Sequence, residues 1–188
     1  MKIKKVSLES NEPYLKVMRW FFSFPERKIG LNDIIKEVNI SKTTANKVIN
    51  RLEKEGFLIK EVIGKAWRVA CNQRHEYNRT KKICYNLEMI YESEIIKEVN
   101  KKYQPKSIIL FGSYRKGDDN ENSDIDIAIE LVSNIDLKIE EFGIIEKFGY
   151  RKNVKINIHR FSRKKINNTL FSNIANGIVL EGFLEVKQ

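Results

Sequence analysis

The period of apolar and polar positions changes several times along the chain, and each change marks an element. Asn11-Glu12-Pro13 starts a helix well, because Pro is at home in the first turn. Leu15, Val17, Met18, Phe21 and Phe22 then give it an apolar face, and Pro25 stops it. Leu31, Ile34, Ile35 and Val38 predict a short second helix over 31–38, followed by a turn at Asn39-Ile40. Ser41 is a good N-cap for a third helix running to about Glu55, with Gly56 as its stop. Ala45, Val48, Ile49 and Leu52 fall at i, i+3, i+4 and i+7, one buried stripe. Apolar residues on both sides of Gly64-Lys65 predict a β-hairpin with a basic tip. From Asn72 to Gln104 there is neither Pro nor Gly, and the composition suits helix throughout. Ile83, Leu87, Ile90 and Tyr91 form one stripe, and Ile95, Ile96, Val99 and Tyr103 a second, with a break near Glu92-Ser93 and an end at Pro105.

Beyond Pro105 the period shortens. Ile108 to Phe111 is an apolar run of strand length, broken at once by Gly112-Ser113. A polar stretch containing Gly117 follows, read as a loop or one short helix plus a loop. A second strand then alternates strictly, with Asp124, Asp126, Ala128 and Glu130 on one face and Ile125, Ile127, Ile129 and Leu131 on the other. Ile135 to Phe148 is expected to be an amphipathic helix, with Leu137, Ile139, Phe142, Ile145 and Phe148 apolar and Gly149 at its end. Val154, Ile156 and Ile158 alternate with Lys155, Asn157 and His159 in a third strand. Ser162 is expected to cap a helix carrying Ile166, Leu170, Ile174 and Ala175, and Ile178 to Leu184 to form a last strand. The expected fold class is α+β, with boundaries at 1–72, a helical connector at 73–92, and a small α/β domain with a mixed sheet at 93–188.

Charge separates the two ends. Residues 1–72 hold 15 basic and 8 acidic side chains, whereas residues 105–188 hold 13 and 12, so most of the net +10 sits in the first third. Such an excess suggests a polyanionic partner such as nucleic acid. Cys71 and Cys84 have neither metal-site spacing nor a framework of pairs, which fits a reducing compartment. There is no apolar run near 18 residues and no signal-peptide pattern, so a cytoplasmic protein without membrane contact is expected.

The candidate chemistry lies in Ser107–Leu131. Asp124 and Asp126 project side by side, their Cα atoms about 6.7 Å apart. Carboxylates so placed suit a hard cation, and Mg²⁺ held by one or two carboxylates plus substrate phosphates is the usual arrangement for nucleotide chemistry. Gly112 lets a phosphate approach the backbone. A Gly-Ser after a strand is by itself usually a turn, and an Asp-x-Asp usually a solvated face.

In this order and spacing, the Gly-Ser turn and Asp124-x-Asp126 resemble the signature of the DNA polymerase β-type nucleotidyltransferase superfamily. The wording LFGSYRKG…SDIDIAI is most similar to its minimal prokaryotic members, over about residues 93–186. The resemblance implies a nucleoside triphosphate with Mg²⁺, Gly112, Ser113, Arg115 and Ser123 at the nucleotide, and Asp124 and Asp126 as metal-binding and catalytic residues. Active members carry a third acid on the following strand; the matching position here is Asn157. An amide oxygen can ligate Mg²⁺ but has no charge and takes no proton. Glu130 shares the face of Asp126 and is a partial substitute, whereas His159 reads as an ordinary histidine.

Helix, helix, turn, helix and hairpin is also the order of a winged helix-turn-helix, and ISKTTANKVINRLEKEGFLIK resembles the recognition helix and following strand of winged-helix transcription regulators. That implies double-stranded DNA as a partner. Thr43, Thr44 and Lys47 are the candidates for base contacts; Asn46, Arg51, Lys60, Lys65 and Arg68 suit backbone or wing contacts, and Lys42 stands on the same DNA-facing side. Three functions are expected from these resemblances: a DNA-binding regulator whose second domain binds Mg²⁺ and a nucleotide; an active transferase moving a nucleoside monophosphate to a hydroxyl of a protein, RNA or small molecule; or an antitoxin-like module with a toxin-like protein partner. The connector stripe is a candidate for pairing in a homodimer. The domain order itself resembles proteins of archaea and bacteria.

Overall fold

The computed structural model describes residues 2–3, 12–64 and 66–185. A two-residue strand, β1 (Lys2–Ile3), is followed in the first domain by α1 (Pro13–Ser23), β2 (Lys28–Gly30), α2 (Leu31–Val38), α3 (Lys42–Lys54), β3 (Leu58–Ile63) and β4 (Ala66–Cys71). The local signals act as the sequence indicates. Pro13 opens α1, Asn39 turns the chain in the left-handed region at φ 51°, and Ser41 Oγ accepts from the Thr44 amide at 3.1 Å. Val17, Phe21, Ile34, Ile49, Leu52, Phe57 and Val69 fill the interior. β2 is too short to show a period, and it completes a three-stranded antiparallel sheet in the order β2-β4-β3.

Between Asn72 and Thr80 the chain makes turns and one 3-10 turn (Glu76–Asn78) rather than the continuous helix its composition suits. The Asn78 side chain holds this stretch by donating to the Asn72 and His75 carbonyls. Such side chain-to-backbone bonds compete with helix. The helices α4 (Lys81–Glu92) and α5 (Ile95–Tyr103) follow, broken where expected by Glu94 at φ 61°.

The second domain comprises β5 (Ser107–Phe111), the single-turn α6 (Ser113–Lys116), β6 (Ile125–Glu130), β7 (Lys138–Phe148), β8 (Arg151–Phe161), α7 (Asn168–Ala175) and β9 (Ile178–Gly182). Its mixed sheet has the order β1-β7-β8-β6-β5-β9, with β6 and β8 parallel and β5 antiparallel to both its neighbours. β1 runs parallel to β7, so Lys2–Ile3 joins this sheet although it lies at the start of the first-domain boundary.

Two expected elements are corrected here. Residues 138–148 form a strand and not a helix. Phe142, Ile145 and Phe148 are buried at a spacing of three, which imitates a helical stripe. A bulge between Glu141 and Gly143 shifts the strand's phase, and Phe148 lies beside the hairpin turn opposite Arg151. Gly143 and the β-branched Ile139, Ile144 and Ile145 favour this outcome. Ser162 does not cap α7: its hydroxyl donates to the Ile135 carbonyl at 2.8 Å, and Asn167 caps the helix by accepting from the Leu170 amide at 2.8 Å.

One face of the large sheet, with Ile108, Leu110, Ile125, Ile127, Ile129, Ile156 and Ile158, shares a continuous core with the first domain. α4 mediates that contact: Tyr85 lies 6.0 Å from Phe22, ring to ring, while Met89 and Ile90 are fully buried. The opposite face packs Ile109, Ala128 and Phe161 under Ile174 of α7. Farther along, this second face carries the carboxylates.

Candidate nucleotide site and DNA-binding surface

β5 delivers the chain to Gly112, which adopts φ 74° and ψ −152°, a conformation open in practice to glycine alone. A Cβ there would lie 2.9 Å from Asp126 Oδ2, so the turn backbone rests against the carboxylate. Ser113 then begins α6. In the sheet, Phe111 pairs with Asp126 and Asp126 pairs with Asn157 on the parallel strand β8. Asn157 Nδ2 donates to Asp124 Oδ2 at 3.3 Å. His159 Nε2 lies 3.2 Å from Asp126 Oδ1, and its ring meets Phe111 edge-on at 4.8 Å. Gly112, Asp124, Asp126 and Asn157 are thus brought together, with His159 beside them.

His159 is the residue that sequence reasoning passed over. It shares a strand face with Asn157, and the missing signal was register: only the parallel pairing of β6 with β8 aligns it next to Asp126. Glu130, in contrast, stays apart. It pairs with Ser107 and Phe161 at the far end of β6 and is 4% exposed, so it does not substitute for the third acid. Arg115 is half-buried on α6. Ser123 accepts from the Asn120 amide at 3.0 Å through Oγ, and its carbonyl accepts from Arg151, so it braces the loop.

The loop between α6 and β6 is tied down from below. Asp119 is 3% exposed; its Oδ1 lies 3.3 Å from Lys82 Nζ and accepts from Asn86 Nδ2 at 2.8 Å. Lys82 also donates to the Asp119 carbonyl. Burial pushes the Asp119 carboxyl up and the Lys82 ammonium down, and each opposes the other's shift. Two bonds from the first domain reach the same loop, Asn120 Nδ2 to Glu26 Oε1 at 2.8 Å and Arg27 Nε to Glu121 Oε1 at 3.2 Å.

The donor set defines which metal suits the site. Asp124 and Asp126 are half-exposed; Asp124 Oδ2 accepts from Asn157, Asp126 Oδ1 lies against His159 Nε2, and each carboxylate keeps further lone pairs. Among the described residues, no group of three or more His, Cys, Asp or Glu is arranged to hold a metal ion. Two neighbouring carboxylates with free lone pairs are a donor set that a divalent cation would accept if substrate phosphate and water completed its shell. They do not supply an all-protein cage.

On the first domain, Lys42, Thr43, Lys47 and Arg51 are exposed along α3, and Arg68 is exposed on β4. Thr44 and Asn46 are half-buried, and the Thr44 hydroxyl bonds Ser41 Oγ at 2.8 Å within the cap. Arg51 is tied to Glu55 at 2.9 Å and stacks over Tyr14 at 4.3 Å. Lys65 lies outside the described residues. No helix among the described residues is long and apolar enough to cross a membrane.

Comparison with known proteins agrees with both halves. Residues 92–176 match the family described as "Nucleotidyltransferase domain", and residues 27–59 match "Winged helix-turn-helix DNA-binding". Several proteins of Methanocaldococcus jannaschii named "Putative protein adenylyltransferase" are similar in part. MJ1215 is 36% identical over 62 residues, covering 33% of this chain and 71% of the relative. MJ0604 is 36% identical over 84 residues, 43% of this chain and 84% of the relative.

Proposed function

We propose that this chain, which belongs to the nucleotidyltransferase domain family through residues 92–176, is a DNA-binding regulator whose second domain takes a nucleoside triphosphate with Mg²⁺ as a ligand and transfers it slowly or not at all. The observation that carries this reading is the pairing of Asp126 with Asn157, because it fills the place of a third acid with an amide that donates to Asp124. Asp124 and Asp126 would hold the cation, which supplies charge neutralisation for the phosphates. Gly112 leaves the turn open to a phosphate, and Ser113 presents the first amide and hydroxyl of α6. With two carboxylates the site is short of negative charge for a second cation. It also lacks a carboxylate beside Asp126 to take the acceptor's proton. The winged helix adds double-stranded DNA as the partner, read through Thr43 and Lys47 at the start of α3.

A second reading is favoured by the relatives' names: transfer of an adenylyl group to a protein hydroxyl. Asn157→Asp separates the two. The change is nearly isosteric and restores a carboxylate next to Asp126. A general base contributes about 10²- to 10⁴-fold in rate, so the regulator reading expects a rise on that scale in nucleotide transfer to water or an added acceptor. Labelled ATP with Mg²⁺ would be followed, scoring binding and transfer separately, with Asp124→Ala as the dead control. Robust turnover by the unaltered chain, abolished by Asp124→Ala and indifferent to Asn157→Asp, would make it a working transferase with a different base.

A further inference from the structure

Arg151, the first residue of β8, is 6% exposed, yet among the described residues none of its hydrogen-bond partners is a carboxylate. Its Nη1 donates to the Tyr114 hydroxyl, and its Nη2 donates to the carbonyls of Glu121 at 3.1 Å and Ser123 at 2.6 Å. Tyr114 directly follows Ser113 on α6, and Ser123 directly precedes Asp124. One planar guanidinium therefore joins the Gly112-Ser113 turn to the chain entering the carboxylate strand. The fork of an arginine has fixed donor directions; an ammonium is a single point of attachment.

We propose that Arg151 is a positioning residue for the nucleotide site, setting the spacing between the phosphate-facing turn and Asp124. The inference rests on the function proposed above for that site. The loop from Gly117 to Ser123 contains no helix or strand, so its main chain cannot fix Asp124 by itself. Its carbonyls instead converge on two buried cations: Asp119 O on Lys82, and Glu121 O and Ser123 O on Arg151. The other end of the bridge is equally constrained, since the Tyr114 ring packs edge-on against Phe148 at 5.8 Å and Asn86 Nδ2 donates to the Tyr114 carbonyl at 3.1 Å. Carboxylates and phosphate donors must be held close to their working geometry before ligand arrives, and here a charge buried between two segments does so.

The test uses the full chain with Arg151→Lys, Arg151→Gln and Tyr114→Phe. Tyr114→Phe removes the hydroxyl end of the bridge while keeping the ring packing, and so remains informative where Arg151→Gln fails to fold. Isothermal titration with Mg²⁺ and ATP is expected to show affinity weakened about threefold in Tyr114→Phe and about tenfold in Arg151→Lys, the scale of one missing hydrogen bond. Their melting temperatures should fall by no more than the few degrees that one lost buried hydrogen bond is worth. In parallel, hydrogen exchange without nucleotide should rise together in residues 113–117 and 120–124 and nowhere else. Unchanged affinity in both variants, or faster exchange in only one of the segments, would overturn the proposal. If the unaltered chain binds no ATP, the function proposed above fails, whereas the paired exchange response still decides whether Arg151 bridges the segments.

Discussion

Helix α3 and the loop before Asp124 present their polar groups in opposite ways. On α3 the candidate contact side chains stand on one regular element whose buried stripe faces the other way, so Lys42, Thr43 and Lys47 are exposed without support from distant described residues. The loop before Asp124 has no regular structure, and its shape is imposed by Lys82 and Asn86 of α4 and by Arg151 of β8. A surface of the first kind can change its charges without touching the fold. A site of the second kind cannot, because its binding geometry and its buried electrostatics are the same set of interactions.

The largest expected effect follows from breaking the buried pair. Lys82→Met leaves Asp119 without its cation at 3% exposure and is expected to cost about 3 to 5 kcal/mol in urea unfolding. The same measurement on Lys47→Ala should move by no more than about 0.5 kcal/mol. The sign with pH is defined. In Lys82→Met the Asp119 carboxyl, already pushed above its ordinary value by burial, loses the largest of the influences that hold it down, with Asn86 and Arg151 remaining, so its folded pKa rises further above the unfolded value. Stability contributed by such a group is present below the unfolded pKa of about 3.9 and is lost as pH rises through the folded pKa. The deficit of the variant should therefore widen between pH 4 and 7. A deficit that is small and independent of pH would erase the distinction between the two surfaces.

Next in size is the ligand effect at the carboxylates. A ligand at about 100 times its Kd stabilises the native state by roughly 2.7 kcal/mol. In Asp124→Asn with Asp126→Asn, the shift in Tm produced by Mg²⁺ and nucleotide should vanish. The unliganded variant should be as stable as the unaltered chain or more so, because the two like charges no longer repel. An equal shift in the variant would place the nucleotide elsewhere.

The smallest effect sharpens the other side of the comparison. Lys42→Ala with Lys47→Ala should flatten the slope of log K against log salt for duplex DNA by about 0.9 for each phosphate no longer neutralised, with stability unchanged. Arg51→Ala should flatten it less, since Arg51 already pairs with Glu55 and Tyr14. A flattening of about 0.9 from Arg51→Ala alone would mean that those partners release the guanidinium to a phosphate on DNA.

What the sequence determined by itself is what a few adjacent residues encode. The stripe of α3 and its Ser41 cap, the break at Glu94, and the alternation placing Asp124 and Asp126 on one face, where they meet Asn157 and His159, all depend on spacing along the chain, and all stand in the structure although β6 itself begins at Ile125. Gly112 was legible for the same reason, as a glycine needed at a turn after a strand. Tertiary structure decided whatever required a partner far along the chain. The bulge at Glu141/Gly143 made a strand look like a helix, because burial at positions 142, 145 and 148 follows from pairing with β8 rather than from a local period. Parallel pairing aligned Asn157 with Asp126, brought the next residue on that face, His159, within 3.2 Å of its carboxylate, and put Glu130 out of reach. Nothing local to Arg151 or Lys82 sets them apart from the chain's other cations. Their burial became tolerable where acceptors 28 to 37 residues away met the charge: the Asp119 carboxylate and carbonyl for Lys82, and the Tyr114 hydroxyl with the Glu121 and Ser123 carbonyls for Arg151.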